Sequence, residues 1–286
     1  MATLPAVLKL DNILVASDFS PASKAATRFA IEIARRHNAK FLMVHVAGSR
    51  SEGPLMDAWS AGQSEIMDHL IAGRLTGIRH ELLVKPGEVW AVLSELIQER
   101  AIDMVVVGTH GRTGVWKLIL GSVAEKIFRQ APCPVLIVGP SSTQDPETGP
   151  QRILVPTGFA HQSLYGVRYA LWLAEQLQSS LSLLHVVTDA GQLPPREQER
   201  IRNERLKRLR ALIPDDARLP RAPEFLTEVG AATDRILATC AAWHPDLVVL
   251  GLRPLEEASP RGTAQAKAYE IACKAPCPVL TVREPA

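Results

Sequence analysis

Short runs of branched apolar residues alternate along this chain with longer stretches whose apolar positions recur every three or four residues. The first pattern reads as strand and the second as helix. Residues 13–16 form the first short run. Ser20 and Pro21 then supply an N-cap and a first-turn proline for a helix in which Ala22, Ala25, Ala26, Phe29 and Ile33 recur at helical spacing. The same reading predicts strands at 41–46, 81–84, 104–107 and 135–138, and helices at 55–75, 88–100 and 121–130. Strands separated by helices belong in a mostly parallel sheet with both faces covered, here a five-stranded doubly wound α/β unit.

The pattern occurs twice. "ILVASDFSPASKAATRFAIEIARRHNAKFLMVHV" from Ile13 is matched by "ILVPTGFAHQSLYGVRYALWLAEQLQSSLSLLHVV" from Ile153, and "APCPVLIV", ending at Val138, by "APCPVLTV", ending at Val282. Between the halves, "SSTQDPETGPQR" is rich in Ser, Thr, Pro and Gly and reads as a linker. Two tandem domains are expected, residues 1–140 and 152–286, joined by 141–151. In such sheets ligands lie at the carboxyl ends of strands, where the strand order reverses. With the order 3-2-1-4-5, the segments after strands one and four, which contain "SDFSPAS" and "GTHGRTGVWKLILGS", face one crevice.

Composition narrows the function classes. With 32 basic and 30 acidic side chains the formal charge is +2, so no general attraction to nucleic acid is expected. No apolar run is long enough to span a bilayer and the start "MATLPAVLKLDN" does not read as a secretion signal, so the expectation is a cytoplasmic protein without a membrane partner. Cys133, Cys240, Cys273 and Cys277 are too few for a disulfide scaffold. A zinc site could be drawn from Cys240, His244, Cys273 and Cys277, but Cys277 repeats Cys133 at a proline-flanked strand entry, which suits buried structural thiols. The basic stretch 196–210 carries Ile201, Leu206 and Leu209 at helical spacing among interspersed acids, and reads as a solvated amphipathic helix.

The candidate chemistry sits after strand four. Gly108 and Gly111 would let the backbone turn sharply and approach a ligand, although a strand-to-helix loop carries glycine without one. Gly121 and Ser122 open the next helix, where unpaired amides and the helix dipole favour an anion and the hydroxyl could donate to phosphate or cap the helix. Arg112 and Lys117 could add positive charge. The pattern Gly108-x2-Gly111-x9-Gly121-Ser122 is neither a Walker loop nor a G-x-G-x-x-G fingerprint.

That glycine pattern, "GRTGVWKLILGSVAEKIFRQAPCPVLIV", the acid in "ASDFSPAS" and the "VHV" strand resemble the universal stress protein family, in its ATP-binding subclass. The resemblance implies an adenine nucleotide alpha hydrolase-like, Rossmann-like fold. It places Asp18 on the nucleoside and the backbone of Ala16 and Ser17 along the adenine, with Val46 as an apolar wall and Val107 counted beside it. Gly108, His110, Gly111 and Arg112 match the ribose and phosphate loop, and Gly121, Ser122 and Val123 the triphosphate cradle. Ala124 stands where some ATP binders have a second hydroxyl. Magnesium is implied as a bridge between phosphates. The family also implies that the two domains pair within the chain along their last strands, 135–138 and 279–282, with a homodimer or a regulatory protein as a further partner.

The second half departs from this pattern. Gly158 aligns with Asp18, Pro254 with Gly111, and Gln265 and Ala266 with Gly121 and Ser122, so neither the carboxylate nor the cradle is expected there; Arg261 to Thr263 offers only a Gly-Thr pair out of register. One ATP site per chain follows. His45 and His185 occupy matching places and read as packing residues. A regulatory nucleotide-binding module and an enzyme of slow ATP hydrolysis or adenylyl transfer both fit the fold, as does a nucleotide-free scaffold. An enzyme needs a base or nucleophile beside the phosphates, and His110, Ser122 and Asp18 are all accounted for by binding.

Overall fold

In a computed structural model the described residues are 9–47, 73–109, 120–139, 142, 149–188, 193–255 and 263–284. They fall into two compact units, Lys9–Pro140 and Ser141–Ala286.

The first unit runs β1 (Asn12–Ala16), α1 (Pro21–His37), β2 (Lys40–Ala47), β3 (His80–Pro86), α2 (Val89–Glu99), β4 (Met104–Gly108), α3 (Ser122–Gln130) and β5 (Val135–Val138). The strands lie in the order β3-β2-β1-β4-β5, all neighbours parallel. This is the order expected from the sequence, and its register sets Ala16 beside Val107, so β1 and β4 end side by side. The central strands are almost entirely buried, as a parallel sheet covered on both faces requires. Helix α1 starts where Ser20 Oγ accepts the Ser23 amide at 3.2 Å and stops where Asn38 turns left-handed at φ 51°. Residues 73–77 form a turn where the apolar spacing predicts the end of a helix. Gly73 and Gly77 adopt φ +74° and +79°, which a helix cannot run through; residues 55–72 of that predicted helix lie outside the described residues.

The second unit repeats the plan: β6 (Arg152–Pro156), α4 (His161–Leu177), β7 (Ser180–Val187), α5 (Pro195–Arg210), β8 (Glu224–Val229), α6 (Ala232–Trp243), β9 (Leu247–Leu252), α7 (Thr263–Lys274) and β10 (Val279–Arg283). Its order is β8-β7-β6-β9-β10, again parallel. An acid absent from the sequence reading fixes the first strand in both units. Asp103 Oδ2 accepts the amides of Asp11 and Asn12, each at 2.8 Å, and Asp246 Oδ2 those of Gln151 and Arg152, each at 2.9 Å.

Among the described residues no helix is long and apolar enough to cross a membrane. Within α5 only Leu209 is fully buried, while Arg208 lies 4.2 Å over the Phe159 ring, so part of the basic helix packs on its own unit. Cys240 and Cys277 are buried; contact with the Cys240 thiol, and then burial, push the Cys277 thiol up, and burial pushes Cys133 up to about 12. His244 closes α6 as a left-handed cap. No group of three or more His, Cys, Asp or Glu among the described residues could hold a metal ion.

Candidate functional site

The site begins with the loop after β1, where a short polar sequence is held by its own side chains. Phe19 sits at φ 64° and its amide donates to Ser17 Oγ at 3.3 Å. Its ring packs on His45 with centroids 4.4 Å apart, and His45 Nδ1 donates to the Ser17 carbonyl at 2.8 Å. Ser17 Oγ in turn donates to Ser23 Oγ at 3.3 Å. Asp18 is carried at the tip of this frame, half-buried, with Oδ1 accepting the Ser20 amide at 3.0 Å.

Helix α3 approaches from the other side. The Gly121 amide donates to the Thr109 carbonyl at 2.7 Å, tying the helix start to the end of β4. Ser20 and Glu88 cap α1 and α2 with side-chain oxygens, whereas the N-cap of α3 is Gly121, with no side-chain hydrogen bond. Ser122 is therefore the first helical residue and not the cap. The amides of Ser122, Val123 and Ala124 have no acceptor within their helix. Gly108 also has a packing role, beside the close approach to a ligand that the sequence suggests. A Cβ there would lie 2.6 Å from the Ala22 carbonyl carbon and 2.7 Å from the Ser23 nitrogen, so glycine is needed for α1 to cross β4.

Loop and helix start enclose a cleft of about 290 Å³ at the carboxyl ends of β1, β2 and β4. Ala16, Ser17 and Asp18 line one side, Val46, Val107 and Gly108 the floor, and Gly121, Ser122 and Val123 the opposite side. Those are all the sequence-derived candidates within the described residues; His110, Gly111 and Arg112, with Lys117, lie outside them. The cleft also takes in Ser23, Val44, His45, Val89 and Ala124. Val89 could have been found from its place as the first residue of a helix that begins where β3 ends. Asp18 is the one charged side chain among the described lining residues.

The second unit keeps the frame and changes its tip. Phe159 adopts φ 61°, its amide donates to Thr157 Oγ1 at 3.1 Å, its ring lies 4.4 Å from His185, and His185 Nδ1 donates to the Thr157 carbonyl at 2.8 Å. Thr157 Oγ1 donates to Ser163 Oγ at 3.1 Å, matching the Ser17–Ser23 pair, and Gly158 stands where the first unit has Asp18. Helix α7 starts at Thr263, so Gln265 and Ala266 lie inside its first turn rather than at its cap. The packing reading of His45 and His185 agrees with these contacts.

Two doubly wound units, each with a cleft at the carboxyl ends of its central strands, define a tandem Rossmann-like protein of the adenine nucleotide alpha hydrolase-like class. The sequence profile of the universal stress protein family matches residues 9–139 and again 150–283, and the chain belongs to that family. A Staphylococcus haemolyticus protein named for the family is 32% identical over 142 residues, covering 46% of this chain and 86% of its own length. A universal stress protein of Methanocaldococcus jannaschii is 28% identical over 141 residues, 44% of this chain and 81% of its own. Among solved structures, a universal stress protein from Archaeoglobus fulgidus aligns over 96% of this chain and 98% of its own with a TM-score of 0.70 and 16% identity, a likeness of fold.

Proposed function

We propose that the first domain binds ATP, one molecule per chain, as the nucleotide-responsive part of a stress-response or regulatory protein. The observation that carries this is the meeting of Asp18 with the uncapped start of α3 across one apolar-floored cleft. A carboxylate accepts ribose or base hydrogen bonds, first-turn amides donate to phosphate oxygens, and Val46 and Val107 offer flat apolar contact to a base. Asp18 alone cannot form a metal cage, so magnesium would arrive held by the phosphates with most of its waters. The presence of two family domains in one chain fits intramolecular pairing.

Calorimetric titration of the full chain with MgATP is expected to give one site. Asp18→Ala and Gly121→Val should each weaken it at least about tenfold, about 1.4 kcal/mol. Gly121 sits at φ −57°, which valine adopts, so the fold should survive. Unchanged affinity in both folded variants would remove the site from this cleft.

A further inference from the structure

The cleft of the second domain has the same place in the fold and the opposite charge. It measures about 410 Å³ and lies at the carboxyl ends of β6, β7 and β9. A volume of roughly 300–1,000 Å³ is usual for small-molecule sites. Its walls are aliphatic, with Leu184, Val186, Ile236, Leu250 and Ile271 prominent. The described lining residues include no carboxylate, but they include Arg205 from α5 and Lys267 from α7. Aligned on the closing phrases Lys267 replaces Val123, and aligned on the opening phrases Gly158 replaces Asp18.

Arg205 supplies the second observation. Its Nε is buried and has no hydrogen-bond partner among the described residues. Its Nη1 lies 3.5 Å from the exposed Glu204 carboxylate, which leaves the Nε donor unanswered. A buried donor left unmade is unfavourable, the more so when charged, so the arrangement favours an acceptor from a ligand. Among the described residues this cleft offers a nucleoside no counterpart of the Asp18 carboxylate.

We propose that the second domain's cleft binds a small aliphatic anion, a carboxylate or phosphate monoester whose head group takes hydrogen bonds from Arg205 and charge from Lys267 while its chain lies on the apolar wall. This extends beyond the first-domain reading and stands independently of it. His185, in the same cleft, is held below its ordinary value by burial and by the charges of Arg205 and Arg208, against the pull of the Thr157 carbonyl. An anion seated there raises it.

The test titrates the full chain with octanoate, octyl phosphate and octanol. One or both anions should bind once per chain, with octanol at least tenfold weaker, and His185 should titrate at higher pH in the bound form by NMR. The double variant Arg205→Gln/Lys267→Gln should lose at least tenfold in anion affinity with MgATP binding unchanged. Gly158→Asp gives a second variant that leaves packing alone, since a Cβ at Gly158 meets nothing within 4 Å, and it should also weaken the anion about tenfold. Anion binding no tighter than octanol, full retention in the double variant, or displacement of the anion by MgATP would each overturn the proposal. Loss of ATP binding alone, with the anion still bound, would count only against the first-domain reading.

Discussion

Gly108 and Gly251 show how a single missing Cβ positions a site by letting a helix lie against a strand. At Gly251 a Cβ would fall 1.9 Å from the Gln162 carbonyl oxygen, closer than the 2.6 Å clash at Gly108, and in both units the obstacle is helix backbone that cannot rotate away. Alanine at either position must push the helix that crosses the strand, α1 at Gly108 and α4 at Gly251, away from it, an overpacking cost of about 1–3 kcal/mol, larger at Gly251. Urea unfolding of Gly108→Ala and Gly251→Ala should show lowered midpoints, the more so at Gly251. A midpoint unchanged at Gly251 would contradict the packing account. His185 carries a pH prediction at the same scale. Its folded value lies below its unfolded one, so the unfolded chain binds the extra proton first, and the associated stability is complete above about pH 6.5 and declines as pH falls toward the folded value. His185→Phe should flatten that acid limb in stability measured between pH 7.5 and 5.

At the level of elements, the loop frames after β1 and β6 are the repeated device. Each uses a left-handed phenylalanine, a histidine from the second strand and a hydroxyl pair to fix a turn of few residues. Replacing Ser17 with alanine removes the acceptor for the Phe19 amide and the bond to Ser23, and about 1 kcal/mol of stability is expected to go with them. Much of the fold was legible because parallel strands buried on both faces read as unbroken valine, leucine and isoleucine runs, and because Ser20-Pro21 marks a helix start without tertiary help. The strand order agrees with the 3-2-1-4-5 arrangement taken for such a unit, which no local pattern in the sequence fixes. Other features were less legible, because they depend on contacts distant in sequence. Asp103 and Asp246 look like surface acids until the strand start they hold is seen ninety residues away. The role of Gly108 depends on a helix whose crossing point no local pattern records. Val44 and Val89 enter the cleft only because the sheet brings β2 and the start of α2 to it.

Over the whole molecule, the two clefts divide the chemistry of one fold. A ligand that binds only the folded state stabilises what it touches, by about 2.7 kcal/mol at a hundredfold excess over its Kd. Hydrogen exchange with saturating MgATP is therefore expected to slow in peptides covering β1, β4 and α3 and to leave β6, β9 and α7 unchanged. Protection of both sets would mean that the second unit takes nucleotide after all. The net charge of +2 sums 32 basic and 30 acidic side chains over the whole chain and carries no trace of this division.

The separation between frame and tip has a consequence for how such proteins diverge. The hydroxyl, phenylalanine and histidine hold the turn whether aspartate or glycine stands at its apex, so the residue at the apex carries little of the burden of folding. A duplicated domain can therefore change what it recognises by point substitution at that apex and at the first turn of the facing helix, while the scaffold beneath stays under its own, separate selection.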